Sequence, residues 1–485
     1  MFFRQYYLDC LSHASYLIGD LTTGRAVVVD PQRDVDEYVL DADAHGLRIE
    51  RVLETHFHAD FLSGHLELAE RTGATIGYGR AAAGRAEFPI ETYADAERIQ
   101  LGEVELEIRE TPGHTPESIS IVVYPHGIDA APYGVLTGDT LFIGDVGRPD
   151  LLASVGVAAD ELAHQLFHSL HERLMSLPDE TGVYPAHGAG SACGKNLSTE
   201  TVSTIGEQRR TNYALAPMTE DDFVETVTQG QSVAPLYFAF AANRNRERRE
   251  LLSGETIVPA LSLSKVLAHQ LDGAVVIDAR EDMAFAAGHL YGSVNVGLGG
   301  RFAEYAGEVM TAQTPIVLVT PPGHESEARV RLARIGFDHV LGALEHPVDT
   351  FLDYPHLIER LSRLSAAGLA ERIRTVPDLV LVDVRNPGEV ALGTIPGARH
   401  ISLPALLTSL EQLDPDAPTV VFCAGGYRSA IASSLLRAHG FTDVSDLLGG
   451  YTAWQAQQTA LLPGETNARD LAIIRSSTAP ATLDW

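Results

Sequence analysis

The densest chemistry in the chain lies in Thr55-His56-Phe57-His58-Ala59-Asp60, where two imidazoles and a carboxylate follow an apolar run that reads as a strand. Three later loops each add one metal-competent side chain: Thr111-Pro112-Gly113-His114, Thr137-Gly138-Asp139 and Tyr184-Pro185-Ala186-His187. Loops at strand ends are where α/β proteins collect their reactive groups, so this recurrence of ligand types predicts a metal centre. A different chemistry is carried by Cys423-Ala424-Gly425-Gly426-Tyr427-Arg428-Ser429. An amphipathic helix is expected from Ala430, and a thiol at a strand end under its N-terminus faces converging amide groups, which stabilise a thiolate and any anionic sulfur bonded to it. Gly425 and Gly426 are expected to permit close backbone approach, and Arg428 to add positive charge.

These groups need elements to hold them. Up to about Tyr213 the chain alternates short β-rich runs with turns and a few helices; Ala26 to Pro31, Ile49 to Leu53, Val104 to Glu110, Ser118 to Tyr124 and Tyr133 to Thr137 read as strands. Stacked sheets flanked by helices are the expected architecture. Beyond residue 256 the sequence repeats itself. Asp278-Ala279-Arg280 recurs as Asp383-Val384-Arg385, and Gly288 to Gly292 recurs as Gly393 to Gly397, both at the same offset of 383 − 278 = 105. That period is too long for a solenoid and matches a duplicated small domain. In each copy one apolar run precedes the Asp, and a second precedes a turn and helix, the pattern of a parallel α/β sheet. The second copy places Cys423 after its second run; the first has Thr320-Pro321-Pro322-Gly323-His324-Glu325 there, without a thiol and with two prolines lacking amide donors.

Composition narrows the function. The 485 residues suit about three domains. With 35 Lys+Arg against 65 Asp+Glu the formal net charge is −30, a field that repels phosphate backbones and anionic membrane surfaces, so no nucleic-acid or membrane partner is expected. The one basic cluster, Arg244, Arg246, Arg248 and Arg249, is interrupted by Glu247 and reads as a solvated helix face or linker. Three scattered cysteines, Cys10, Cys193 and Cys423, do not make a disulfide framework and predict a reducing compartment. The N-terminus is broken by Arg4 and Asp9 and reads as a strand rather than a signal peptide, and no apolar stretch approaches the roughly 18 residues of a membrane span. A cytoplasmic, homo-oligomeric protein is the expectation.

The first region resembles the metallo-β-lactamase fold, in which an HxHxD loop and later His, Asp and His loops supply the metal ligands. Hydroxyacylglutathione hydrolases of that superfamily carry HxHxDH and two metals, but the last position here is Phe61. Losing that imidazole underligates the second site and favours one ion per chain. The persulfide dioxygenase branch fits this loss, and the resemblance implies Fe(II) held by His56, His114 and Asp139. His58, Asp60 and His187 would then surround the metal without binding it, with direct ligation by His58 or His187 as the alternative. Arg148 would meet the carboxylates of a glutathione-like or coenzyme-A-like carrier, or else pair with Asp145 or Asp150. Cys193 would lie near the metal as a sulfur relay or as an ordinary buried cysteine.

Cys423 to Arg428 matches the CxxGxR active loop of rhodaneses, with Thr394 at that family's usual His position. A Cys-x5-Arg phosphatase loop would need Arg where the chain has Ser429. The whole chain therefore resembles persulfide dioxygenase–sulfurtransferase fusions. The expected class is α/β and α+β multidomain: an αββα metallo-β-lactamase fold over residues 1–215, a connector over 216–256, an inactive rhodanese-like domain over 257–360, and an active rhodanese domain with a C-terminal tail over 361–485. The implied reaction oxidises a small thiol persulfide with O2 to sulfite and thiol. Cys423 would exchange sulfane sulfur with thiosulfate or sulfite. Rival readings are a Zn-dependent thioester hydrolase fused to a sulfurtransferase, and a non-catalytic sulfur carrier or sensor.

Overall fold

In strand Arg25–Val29 the alternate residues Val27 and Val29 enter one apolar cluster while Ala26 and Val28 enter another, so both faces of the strand are buried. This two-residue period fixes the layering of the N-terminal region. In the computed structural model, which describes residues 1–151, 158–195, 197–254 and 256–461, six strands between Phe2 and Tyr93 form one sheet in chain order. Six more, from Arg98–Gln100 to Ser203–Thr204, form a second sheet, also in chain order. Between the sheets pack Tyr16, Ile18, Leu106, Ile121, Val123 and Leu136. Helices Asp36–Ala44 and His65–Thr72 cover the outside of the first sheet through Tyr38 and Leu68, and helix Ala159–His168 covers the second through Leu166. The order of layers is αββα, as expected. The predicted strands fall within two residues of Arg25–Val29, Arg48–Leu53, Glu105–Glu110, Ile119–Tyr124 and Gly134–Gly138.

The repeat forms two five-stranded parallel sheets of identical order. The first runs Ala260–Leu261, Val340–Leu344, Ile316–Val319, Val275–Asp278, Val294–Asn295; the second runs Ser362–Leu364, Val444–Leu447, Thr419–Phe422, Val380–Asp383, Arg399–His400. The repeated residues explain themselves. Arg280 grips Asp278 with Nε and Nη2 and donates to the Gly288 carbonyl at 2.9 Å. Arg385 repeats this on Asp383 and the Gly393 carbonyl at 2.7 Å. Thr394 donates to Asp383 at 2.6 Å, so the residue replacing the expected His joins the same clamp.

Two sequence expectations change. The Arg cluster is not a solvated face: Arg249 is buried against both oxygens of Glu67 and the Ser63 carbonyl, and Arg246 lies over the Phe57 ring. The helix after Cys423 begins at Tyr427, earlier than Ala430, and is not amphipathic; every residue from Ser429 to Leu436 is buried, because the first rhodanese-like unit covers the face that would meet water. The tail from residue 462 lies outside the described residues. No helix among the described residues is long and apolar enough to cross a membrane.

Asp20, at the end of strand His13–Asp20, ties the two sandwich sheets together. Burial alone would raise its carboxyl, but the N–H groups of Val104, Thr23, Thr22 and Glu103 outweigh it and hold the pKa down at about 2. A depressed acid stabilises the fold above its unfolded pKa and loses that contribution as the pH falls through the folded value. Asp20→Asn should therefore cost about 2 kcal/mol at pH 7, with the difference from wild type vanishing near pH 2 in urea unfolding followed at several pH values.

Candidate metal centre and sulfur-transfer loop

Three imidazoles converge on one carboxylate. His56 Nε2 and His114 Nε2 lie 4.0 and 3.4 Å from Asp139 Oδ2, and His187 Nε2 lies 3.5 Å from Asp139 Oδ1. Ligands each about 2.1 Å from one ion sit roughly 3–4 Å apart, so these spacings suit a shared metal. The tautomers agree. His56 Nδ1 donates to Thr55 Oγ1, whose own hydroxyl donates to Asp30; His114 Nδ1 donates to the Arg148 carbonyl at 2.9 Å; His187 Nδ1 donates to the Ser12 carbonyl at 3.1 Å. Each ring is thereby left with its Nε2 lone pair facing Asp139, the arrangement that orients imidazole for metal binding. His56 Nε2, His187 Nε2 and both Asp139 oxygens are buried and have no hydrogen-bond partner. Buried polar atoms left so are costly unless a cation satisfies them, and the residues present fit one.

Around this trio the remaining expected residues take distinct places. His58, Asp60 and His187 also lie within coordinating reach of one another, as do Asp139, His187 and Cys193. His58, however, has Nε2 3.1 Å from Asp30 and 3.4 Å from Glu54. Burial alone would lower its pKa, but Asp30 and Glu54 outweigh burial and raise it. Phe61 packs against the rings of His13 and His58, at 4.0 and 4.4 Å, and brings no donor. Cys193 is buried, and burial with Asp60 and Asp139 pushes its thiol well above the ordinary range. Arg148 is a correction. Its guanidinium is spent on both Asp150 oxygens and on the Ala192 and Ser232 carbonyls, the ion-pair alternative, so its part in the site is the backbone carbonyl that holds His114. Gly147 is required beside it, since a Cβ there would strike the Asp139 carbonyl at 1.9 Å.

Several contributors carried no motif. Asn245 donates to the His58 and Phe61 carbonyls, both at 2.8 Å, and accepts from Ser63 N–H; Tyr237 donates to the Asp60 carbonyl at 3.0 Å. Both belong to the connector, whose helix Phe238–Arg244 is folded against the metal loop. Asp30, one residue past its strand, has φ 50°, a conformation few non-glycine residues take and one that aims the carboxylate at Thr55.

In the second rhodanese-like unit Cys423 is buried between strand Thr419–Phe422 and helix Tyr427–Ala438, with Gly426 N–H donating to its sulfur at 3.1 Å and its thiol donating to Ser429 Oγ at 3.6 Å. Gly426 has φ 111°, which only glycine adopts readily. Gly425 has open space where a Cβ would be, so the expected steric demand falls on Gly426 alone. Arg428 is held by a bidentate pair with Glu389 at 2.7 Å. In the first unit the corresponding position is the buried Thr320, which has no nucleophilic sulfur.

Fold and site define an αββα sandwich with candidate metal-binding His and Asp groups, carrying a duplicated rhodanese-type unit with a buried cysteine in one copy. The description "Metallo-beta-lactamase superfamily" matches residues 8–187, and "Rhodanese-like domain" matches 262–345 and 365–457. The Bos taurus protein named "Persulfide dioxygenase ETHE1, mitochondrial" is 32% identical over 237 residues, spanning 48% of this chain and 82% of that one; the Homo sapiens protein of the same name is 30% identical over the same shares. The crystal structure titled metallo-beta-lactamase from Staphylococcus aureus subsp. aureus COL superposes with a TM-score of 0.64 at 33% identity, covering 70% of this chain and 98% of its own. The chain belongs to the persulfide dioxygenase family of the metallo-β-lactamase superfamily and carries two rhodanese-like domains.

Asn245 offers no candidate donor of its own yet bonds the backbone of the loop that bears His56. Asn245→Ala should weaken metal affinity about 10- to 100-fold, the range for losing groups that orient ligands, measured by chelator competition.

Proposed function

We propose that the chain is a non-haem iron persulfide dioxygenase coupled to a sulfurtransferase, with Fe(II) held by His56, His114 and Asp139, one per chain. The reaction is RSSH + O2 + H2O giving RSH, sulfite and two protons. The observation that carries this reading is a buried pocket in which His56 Nε2, His187 Nε2 and both Asp139 oxygens are left unpartnered and His114 Nε2 lies 3.4 Å from Asp139, beside a Phe61 that denies a second ion its imidazole. The name of the two mammalian relatives supports it. When bound, ferrous iron supplies the one-electron steps that O2 requires and leaves coordination positions open.

The chain's own residues do the rest. Asp60 and His187, 3.2 Å apart, hold and move a proton beside the sulfur, and Asp30 and Glu54 raise the pKa of His58 beneath the loop against the effect of burial. Cys193 borders the same pocket as a sulfur-contacting residue. At the other centre, Cys423 takes the outer sulfur of thiosulfate and releases sulfite, or runs the reverse, while the Gly426 amide and Arg428 steady the anionic persulfide. Three free cysteines agree with a reducing, cytoplasmic setting.

Anaerobic purification should yield one iron per chain and oxygen uptake with glutathione persulfide. Zinc in its place, no oxygen uptake and rapid S-lactoylglutathione cleavage would establish the hydrolase instead, and sulfur transfer without either activity would establish the carrier. His114→Ala should lose iron and oxygen uptake but keep thiosulfate-dependent cyanolysis; retained iron refutes its role as ligand. Cys423→Ser should abolish thiosulfate-linked transfer while sulfite still forms from supplied persulfide, and loss of both would show that the chemistry is not divided this way.

A further inference from the structure

The inactive rhodanese-like unit buries two acids where a helix gains nothing from them. Glu304 and Glu308 stand four residues apart on helix Phe302–Val309, one turn of like charge that destabilises even an exposed helix. They are 6% and 5% exposed, and Glu308 Oε2 has no hydrogen-bond partner. Both face a cavity of about 590 Å³ whose wall comes from all three units: Ser191 and Lys195 from the loop bearing Cys193, Arg301, Glu304 and Glu308 from the inactive unit, and Arg428 from the Cys423 loop. One chamber thus borders the loops of both reactive centres. The inactive unit also braces the far end, since Tyr427 donates to the Gly297 carbonyl at 2.6 Å.

Charge in the chamber is mixed. Arg301 pairs with Glu304, Arg428 pairs with Glu389, and the Lys195 ammonium donates to the Thr226 carbonyl, which leaves Glu308 as the carboxylate without a cation among the described lining residues. Burial pushes Glu304 up to about 7 against Arg301, with Asp60 adding to the rise; burial and then Glu304 push Glu308 up, with Arg301 and Arg428 opposing. The pair therefore feels charges from both ends. A volume near 590 Å³ lies in the range of small-ligand sites. A compact thiol carrying an ammonium and a carboxylate matches this wall, the ammonium satisfying Glu308. A polyphosphate-bearing thiol would bring several anionic charges to a wall with no cation to spare among those residues.

We propose that this chamber binds a zwitterionic carrier thiol and retains it while sulfur passes between Cys423 and the metal pocket, with the inactive rhodanese-like unit supplying Glu304 and Glu308 as part of the binding wall. This rests on the dioxygenase reading above. In the handover the carrier sulfur attacks the outer sulfur of the Cys423 persulfide. The bond from that sulfur to Cys423 Sγ breaks, its electron pair stays on Sγ, and the thiol proton ends on Cys423. The sum is RSH + Cys423–S–SH giving RSSH + Cys423–SH, with no oxidant or reductant.

The test uses the full-length iron-loaded enzyme. Cys423 is charged from thiosulfate labelled in its outer sulfur, excess reagent is removed, and the enzyme is mixed in air with glutathione and a large excess of unlabelled glutathione persulfide. Retention predicts labelled sulfite at least tenfold above the fraction set by isotopic dilution, whereas label at the diluted fraction overturns the proposal. Glu308→Gln should cut the enrichment at least fivefold. Enrichment is a ratio among turnovers, so less folded enzyme does not imitate this result, and an unchanged ratio removes the acid pair from the site. Equal enrichment with coenzyme A in place of glutathione overturns the zwitterionic class. Absence of sulfite even from supplied persulfide refutes the dioxygenase reading instead, which keeps the two failures apart.

Discussion

A loop that buries two imidazoles and a carboxylate also buries its own backbone, and every N–H and C=O of that backbone has to find a partner away from water. The His56–Asp60 loop finds them across the chain. Asn245 and Tyr237 from the connector take the carbonyls of His58, Phe61 and Asp60, and Leu62 N–H donates to the Arg334 carbonyl of the first rhodanese-like unit. The loop's geometry is therefore a property of the assembled protein. Around it, Arg33 reaches Glu67, Asp338 and the Ala333 carbonyl while almost fully buried, and Arg334 pairs with Asp34. A buried guanidinium stripped of one partner is left as an uncompensated charge, so these contacts fix how the units dock more than they add to stability.

The same requirement gives the duplicated unit two fates. Both copies keep the Asp-Arg clamp and the parallel sheet, because those residues close the fold on itself. Both loops keep a glycine at positive φ, Gly323 at 85° and Gly426 at 111°, but only the second has a thiol and an amide aimed at sulfur. The first has turned outward in function: its helix Phe302–Val309 and the Gly297 to Arg301 segment pack against the active loop and the connector, and its Arg334 end packs against the metal loop. Such a copy is free to lose its nucleophile while its surface is held in place by neighbours on two sides.

Electrostatics follow the same division. A net charge of −30 sets a repulsive field for anionic sulfur compounds, and the metal-competent donor set is where a cation would answer it locally. Arg148 follows Asp139 closely in the sequence, yet it is neutralised by Asp150. Proximity along the chain gave no measure of whether that charge was free.

By itself, the sequence determined the plan and the candidate groups: the loops bearing His56, His114 and Asp139, the cysteine at the end of a strand, the αββα region and the repeat with a thiol in one copy. Those features are local, since ligand spacing, strand alternation and a period of 105 residues are written in consecutive positions. The tertiary structure alone decided which charges are free, which helix face meets water and who holds the metal loop. Asn245 and Tyr237 lie more than 170 residues from the carbonyls they bond, Glu304 and Glu308 belong to no motif, and the helix from Tyr427 is buried from Ser429 to Leu436 by a partner no periodicity describes. Pairing of buried polar groups is satisfied in space, and residues distant in sequence satisfy it without leaving any pattern along the chain.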